Sequence, residues 1–400
     1  MANRFLLYGA TGYSGRLIAA EAARRWGNRT KTHRPCELVL ASRDRRALAE
    51  LAEDLQLDYR AFSLDHRESV VRALNGFDVL INAAGPFDQT AERLAKSALD
   101  AGCHYVDING EVDVYKRLDD LHYFAQSRGL ALVCGAGHTA TLSDLMLDTA
   151  LHDLQGNGLA DELGIARIAV ARMKYLSRGS ARTMMRMVRE QVTVARGVPD
   201  SKSPRLVLSH APVGKLERSF DFGSGEPKHG SGLRIASAAN LIDTLTARHT
   251  AERRKVRLER IESYIEMPTT MRLAYHAAAV GAVGYQLPIL RELTRWQIDM
   301  LPEGPDAKER ADNSHRVVLQ IEDRYRQLVV DWCIVTGDPY ELTARLALAV
   351  ARKVAEAESP GGWLTPADVL GLWQPLIDQG LDSPLMGCRT ERRSKAVAHT

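Results

Sequence analysis

Three glycines, Gly9, Gly12 and Gly15, stand in the run G-A-T-G-Y-S-G, which also holds Thr11, Tyr13 and Ser14. That spacing suits a dinucleotide pyrophosphate. Gly9 lets the backbone turn sharply. Gly12 keeps side-chain atoms away from N–H groups that a phosphate approaches, and Gly15 lets a helix lie close to a strand. The helix start adds unpaired donors and the positive end of a dipole. The motif has meaning only between a strand and a helix. Phe5 to Tyr8 is a short apolar run, and the residues through Trp26 favour helix, so both flanks are present.

Two further groups belong at the same edge. The second β-rich run ends L-V-L-A-S-R-D-R-R, with Ser42 and Arg43 where a site for NAD usually carries an acidic residue. An arginine there can pair with a ribose 2′-phosphate that a carboxylate would repel, which favours NADP(H), while Asp44 leaves NAD open. The fourth run ends I-N-A-A-G-P-F. Ala83, Ala84 and Gly85 are small enough for a flat nicotinamide or ribose to lie against the backbone, and Pro86 turns the chain out of the strand. The fifth run is followed by D-I-N-G-E, Asp107 to Glu111, which reads as turn chemistry and an acidic helix start.

The elements that must hold these groups alternate. Short β-rich runs at 5–9, 37–41, 59–63, 79–83, 105–108 and 131–134 are separated by helical stretches at 17–26, 47–55, 69–74, 91–100 and 114–127. That alternation predicts an α/β fold, a doubly wound Rossmann domain whose six strands complete the sheet. At 400 residues the chain is long enough for a second domain. A net charge of +3 gives no reason to expect nucleic acid. Five scattered cysteines with no C-x-x-C pair argue against zinc and against a disulfide framework, and suit a cytoplasmic protein. No metal ligand set is expected, and the short apolar run before the glycines does not read as a signal peptide.

Taken together, G-A-T-G-Y-S-G, A-S-R, I-N-A-A-G-P-F, A-G-C-H-Y-V-D-I-N-G-E and G-L-A-L-V-C-G-A-G resemble the saccharopine dehydrogenase-like oxidoreductases, and within them the bacterial branch of trans-acting enoyl reductases. The resemblance covers residues 1 to about 145. It implies an NADPH-dependent enzyme, reducing either a C=C bond of an acyl or lipid-like substrate or a C=N bond as in saccharopine chemistry. A catalytically silent nucleotide-binding redox sensor is a third alternative. Where the family commonly has G-F-D-S-x-P-S-D, this chain has Gly137-His138-Thr139-Ala140-Thr141-Leu142-Ser143-Asp144. His138 is the candidate proton-transfer residue, set against a loop histidine with no such role. Ser143 or Asp144 is expected to cap the next helix. Tyr115, Tyr123, Tyr264 and Tyr275 have no lysine four residues on, which sets aside the Tyr-x-x-x-Lys reductases.

By the same resemblance the domains are 1–145, binding NADP; 146–336, an α+β substrate or dimerisation domain inserted next; and 337–382, helices that return to pack on the first. The tail 383–400, rich in Arg, Lys and Ser, is expected to be disordered. In the second domain 164–176 reads as a strand leading into a helix whose Met184, Met185 and Met187 line an acyl pocket or simply fill core. The uncharged stretch Ala277 to Leu290 is too short to span a bilayer and reads as a buried helix, a pocket wall or a peripheral membrane contact between Arg272, Arg291 and Arg295. A small-molecule substrate is the expected partner, and a sheet-based second domain is compatible with a homodimer.

Overall fold

Strand β1 (Asn3–Tyr8) buries its last four residues, and its neighbours follow in the alternation that the sequence predicts. After it come α1 (Tyr13–Trp26), β2 (Cys36–Ser42), α2 (Arg45–Leu55), β3 (Asp58–Ala61), α3 (Arg67–Leu74), β4 (Val79–Asn82) and α4 (Phe87–Asp100). Then come β5 (His104–Asp107), α5 (Val112–Asp119), α6 (His122–Ser127), β6 (Ala131–Val133) and α7 (His138–Gly156). The second half holds β7 (Leu163–Val170), α8 (Arg178–Met187), β8 (Val192–Gly197), β9 (Leu206–Ala211), β10 (Glu217–Asp221), β11 (Leu233–Ala238) and α9 (Asp243–Arg253). It continues through β12 (Arg260–Glu266), α10 (Ala307–Ala311), β13 (His315–Asp323) and β14 (Leu328–Thr336). The chain closes with α11 (Pro339–Glu356), β15 (Gly362–Leu364), α12 (Pro366–Leu370), α13 (Trp373–Ile377) and β16 (Arg389–Arg392). This computed structural model describes residues 3–26, 36–187, 191–198, 204–211, 215–223, 232–267, 269, 272, 296–356, 361–377, 383–385 and 388–392.

The chain forms two units, Met1–Thr141 with Pro339–Met386, and Leu142–Asp338 with Gly387–Thr400. The first is a parallel sheet in the order β15-β6-β5-β4-β1-β2-β3. The strand order reverses between β1 and β4, the place where such sheets bind ligand beyond their carboxyl ends. One core runs from Phe5, Leu7, Leu40, Val79, Ile81 and Val106 to Ile18 and Ala22 of α1 and to Ala347, Leu348 and Ala351 of α11. Helix α11 thus belongs to the first unit.

Among the described residues the sheet has seven strands, not six. Its last strand, β15, comes from the G-G-W-L segment, which the sequence presents as a prelude to a helix. Gly361 and Gly362, at φ +71° and +98°, make the turn into it. The amide of Trp363 then donates to His122 Nδ1 at 3.1 Å, and its ring stands edge-on to Tyr115 at 5.8 Å. The stretch 114–127 is two helices, because the chain turns at Asp120 and Leu121.

The second unit is a mixed sheet, β10-β11-β12-β7-β13-β14-β16, with β8 paired to β12 and β9. Strand β7 ends at Val170, short of the predicted 176. The tail is ordered at Arg389–Arg392, correcting the expectation of disorder there. Those residues pair with β14, and Arg392 stacks over Trp332 at 4.4 Å. Ser143 and Asp144 do not cap a helix either. Helix α7 starts five residues earlier, so both lie inside it and buried, where Ser143 donates to Asp243 and Asp144 accepts from Thr250, each at 2.5 Å. Inside this sheet Arg167 pairs with Glu262 at 3.2 Å and, through two nitrogens, with Glu322 at 2.5 and 3.1 Å.

Candidate nucleotide site

The glycine turn has the geometry that its spacing predicts. Gly9 is left-handed, at φ +87°, and a Cβ there would lie 2.6 Å from the amide nitrogen of Ala84. Its own N–H and that of Ala10 both donate to Ala41 O, at 2.9 and 3.1 Å. Gly15 is tighter still, since a Cβ would stand 2.0 Å from Gly9 O. Gly12 differs. A Cβ there would meet only Gly9 O, at 3.4 Å, an ordinary contact, so packing within the chain does not demand a glycine. Close approach by a ligand does. Thr11 accepts from Arg16 Nε at its carbonyl, 2.9 Å away, and Ser14 lies in the first turn of α1. Tyr13 opens that helix with its ring edge-on to Tyr340 at 5.1 Å.

At the end of β2 the two candidate residues part company. The Ser42 hydroxyl is buried and donates to Asp44 O at 3.2 Å, so it shapes the turn. Arg43 is exposed, and among the described residues no hydrogen bond or ion pair holds its side chain. Asp44, the residue that kept NAD open, is the N-cap of α2. Its Oδ1 accepts from the amides of Arg46 and Ala47 at 3.0 and 3.1 Å. An exposed cation without a partner among the described residues, beside a carboxylate engaged in capping, suits a phosphate better than a ribose hydroxyl. Tyr8 lies below, its hydroxyl donating to Phe62 O at 3.3 Å. Burial pushes that hydroxyl up to about 12, against the opposing charge of Arg43.

Across the switch point, Ala83 and Ala84 face the Gly9 turn, with Ala83 N–H donating to Tyr8 O at 2.9 Å. Gly85 is exposed, and a Cβ on it would touch nothing. Pro86, joined to it by a cis peptide, precedes α4 as its N-cap.

Beneath this edge runs a buried polar chain that the sequence reading missed. Ala84 N–H donates to Asn82 Oδ1 at 2.9 Å, Asn82 Nδ2 to the Tyr105 hydroxyl at 3.0 Å, and that hydroxyl to Asp107 Oδ2 at 3.0 Å. Asp107 Oδ1 accepts from the amides of Asn109 and Gly135, at 3.0 and 2.9 Å. Burial raises the Asp107 carboxyl to about 6, against the hydrogen bonds from Gly135, Asn109 and Tyr105 that favour its charged form. The visible signal was a polar residue closing each of two apolar strands, V-L-I-N and H-Y-V-D.

His138 is the first residue of α7, not a free loop residue. Its amide and Nδ1 lie 3.2 and 3.3 Å from Thr343 Oγ1, and Nε2 lies 2.9 Å from Thr139 Oγ1. Thr343 donates its own proton to Pro339 O at 2.9 Å, so toward His138 it is an acceptor. Nδ1 therefore carries hydrogen, and Nε2 of the neutral ring is the acceptor. Met184 is half-buried in α8, and the side chains of Met185 and Met187 lie outside the described residues, as does the whole of Ala277 to Leu290. Among the described residues no group of three His, Cys, Asp or Glu is placed to hold a metal, and no helix is long and apolar enough to cross a membrane.

Residues 5–133 match the family model described as the saccharopine dehydrogenase NADP binding domain. Two curated relatives, from two strains of Mycobacterium tuberculosis, each named a "Putative trans-acting enoyl reductase", are 29% identical over 201 residues. The alignment covers 49% of this chain and 46% of each relative, so the chain matches about half the length of those proteins. Among solved structures, homospermidine synthase from Legionella pneumophila, in complex with NAD, is similar with a TM-score of 0.64 and 12% identity over 99% of this chain and 92% of its own. Saccharopine dehydrogenase (L-Glu forming) from Saccharomyces cerevisiae gives 0.59 and 11% over 98% and 100%. At those identities the likeness is one of fold.

Proposed function

We propose that the chain is an NADPH-dependent oxidoreductase of the saccharopine dehydrogenase-like family, whose NADP-binding model matches residues 5–133, and that it reduces a C=C bond of an acyl or lipid-like substrate. The observation that carries the cofactor is Gly12, a glycine that the fold itself does not need, set between a helix start and an exposed Arg43 with no partner among the described residues. The enoyl substrate rests on the partial likeness to the mycobacterial relatives.

When bound, the cofactor supplies a hydride. The chain's own residues do the rest. The amides around Gly12 and the start of α1 receive the pyrophosphate, and Arg43 takes the 2′-phosphate. Ala83, Ala84 and Gly85 give a flat backbone for the nicotinamide ribose. His138 is the candidate donor of the proton that reduction of an enoyl group also consumes, and to give one it must first take up a proton at Nε2, the nitrogen that the neutral ring leaves as acceptor. Thr343 fixes its Nδ1–H and Thr139 its Nε2, so the ring is oriented before any substrate arrives.

The test is consumption of NADPH by the purified chain with trans-2-enoyl thioesters of increasing length, beside a cyclic imine. Oxidation with the enoyl series alone supports this reading, and oxidation with the imine alone replaces it by C=N reduction. Tight nucleotide binding without turnover of either overturns the assignment as an enzyme. His138→Ala is expected to lower turnover by roughly 10²–10⁴-fold with NADPH affinity unchanged. Unchanged turnover removes His138 from the chemistry.

A further inference from the structure

The chain from Ala84 to Asp107 has a fixed polarity. A backbone amide can only donate, so Asn82 must turn Oδ1 toward Ala84 and Nδ2 toward Tyr105. The Tyr105 hydroxyl, accepting from Asn82, then gives its hydrogen to Asp107 Oδ2. An ionised carboxylate at the far end satisfies every link. A protonated one does not. Oδ1 already takes two amides, so the proton goes to Oδ2, where it meets the hydroxyl of Tyr105 as donor against donor. Either that hydroxyl is left without an acceptor or the chain reverses, which brings the Asn82 NH₂ against the amide of Ala84. Asn82, Tyr105 and Asp107 are all buried, so water is not at hand to repair the break.

We propose that Asn82, Tyr105 and Asp107 form a relay through which the charge on Asp107 sets the backbone at Ala84, making Asp107 a positioning residue for the nucleotide. The inference rests on the nucleotide reading of this edge. Ala84 is where the relay meets the site, since its backbone lies against Gly9 and its carbonyl accepts from Thr90 at 2.6 Å. Ionised Asp107 holds the edge in its binding form, and protonation releases it.

The other groups around Asp107 leave it as the titrating member. Burial raises both the Tyr105 hydroxyl and the Cys134 thiol at the end of β6 well above their ordinary values, so both stay neutral. From α5, Tyr115 spends its hydroxyl on Cys134 O at 2.5 Å. Glu111 lies at the start of that helix, its amide held by Asn109 Oδ1 at 2.8 Å. Helix α4 buries Ala91, Leu94, Ala95 and Ala98, while its Glu92 and Lys96 pair with each other at 2.6 Å. Val106, between the two polar residues of β5, belongs to the core on the other face with Ala344, Ala347 and Leu348 of α11.

The experiment uses the full chain with ¹⁵N-alanine and follows the amide resonance of Ala84 between about pH 5 and pH 8. The expected midpoint is about 6, the value of Asp107. In Tyr105→Phe, which cuts the relay and keeps the carboxyl, the resonance should no longer follow pH. NADPH affinity is measured in parallel. If only the ionised form binds, affinity falls about tenfold one pH unit below the midpoint, because the competent fraction falls that much. The 2′-phosphate of NADPH also titrates in this range, but equally in both proteins, so the ratio of their pH profiles isolates the relay. Asp107→Asn serves as a second variant and should hold Ala84 in its low-pH state throughout. An Ala84 resonance indifferent to pH in the wild type, or equally responsive in Tyr105→Phe, overturns the relay. NADPH that binds at no pH overturns the nucleotide reading instead, and the Ala84 titration still decides the relay.

Discussion

Arg43→Ala separates the 2′-phosphate from everything else at the nucleotide edge. The side chain is exposed, with no described partner in the fold, so its removal should leave the thermal midpoint where it is. A hydrogen bond to a charged group contributes about 1.5–3 kcal/mol, which is a loss of roughly 10- to 150-fold in NADPH affinity. NADH lacks the phosphate and should be bound equally well by both proteins, within about twofold. The discrimination therefore collapses through NADPH alone. Salt gives a second handle, because an exposed cation–phosphate pair weakens as ionic strength rises. Calorimetric titration of both cofactors into both proteins at two salt concentrations reads all of this. Equal loss of NADH and NADPH would refute the reasoning, since Arg43 would then be shaping the site and not reading the phosphate. Preference for NADH in the wild type would do so too, and would return the 2′ position to Asp44.

The glycines give an internal contrast. Gly12→Ala adds a Cβ with one contact at 3.4 Å, so stability should change by less than about 0.5 kcal/mol while NADPH binding is lost. Gly15→Ala puts a Cβ 2.0 Å from Gly9 O and should cost about 1–3 kcal/mol in urea unfolding; equal stability of the two variants contradicts the packing argument. In the second unit, Arg167→Ala takes one of two cations from Glu262, 2% exposed, leaving it Arg260 and the Tyr264 hydroxyl among the described residues, and should destabilise by about 1.5–3 kcal/mol. A loss below about 1 kcal/mol by the same unfolding assay would mean that water reaches the cluster.

What could be read from the sequence and what could not divide along a physical line. The Gly9–Gly15 turn, the small residues after β4 and Arg43 after β2 are local signals. Each depends on the φ, volume or charge of residues within one turn, and each lies where its spacing predicted. The features missed are pairings at a distance. Strand β15 lies more than 200 residues from its partner β6, and G-G-W-L has three residues to announce a strand that only an open sheet edge makes worthwhile. Strand β16 carries charge and polarity throughout, as an edge strand can, and so reads as tail. The relay needs register. Asn82 stands opposite Asp107 only because β4 and β5 pair Leu80 with Tyr105, and a slip of one residue would turn Tyr105 to the other face and leave Asn82 without it. Asp107 illustrates the limit best. Turn chemistry was a correct reading of its Oδ1, which accepts from the amide two residues on. Its Oδ2 serves a neighbouring strand, and no local rule reaches that far.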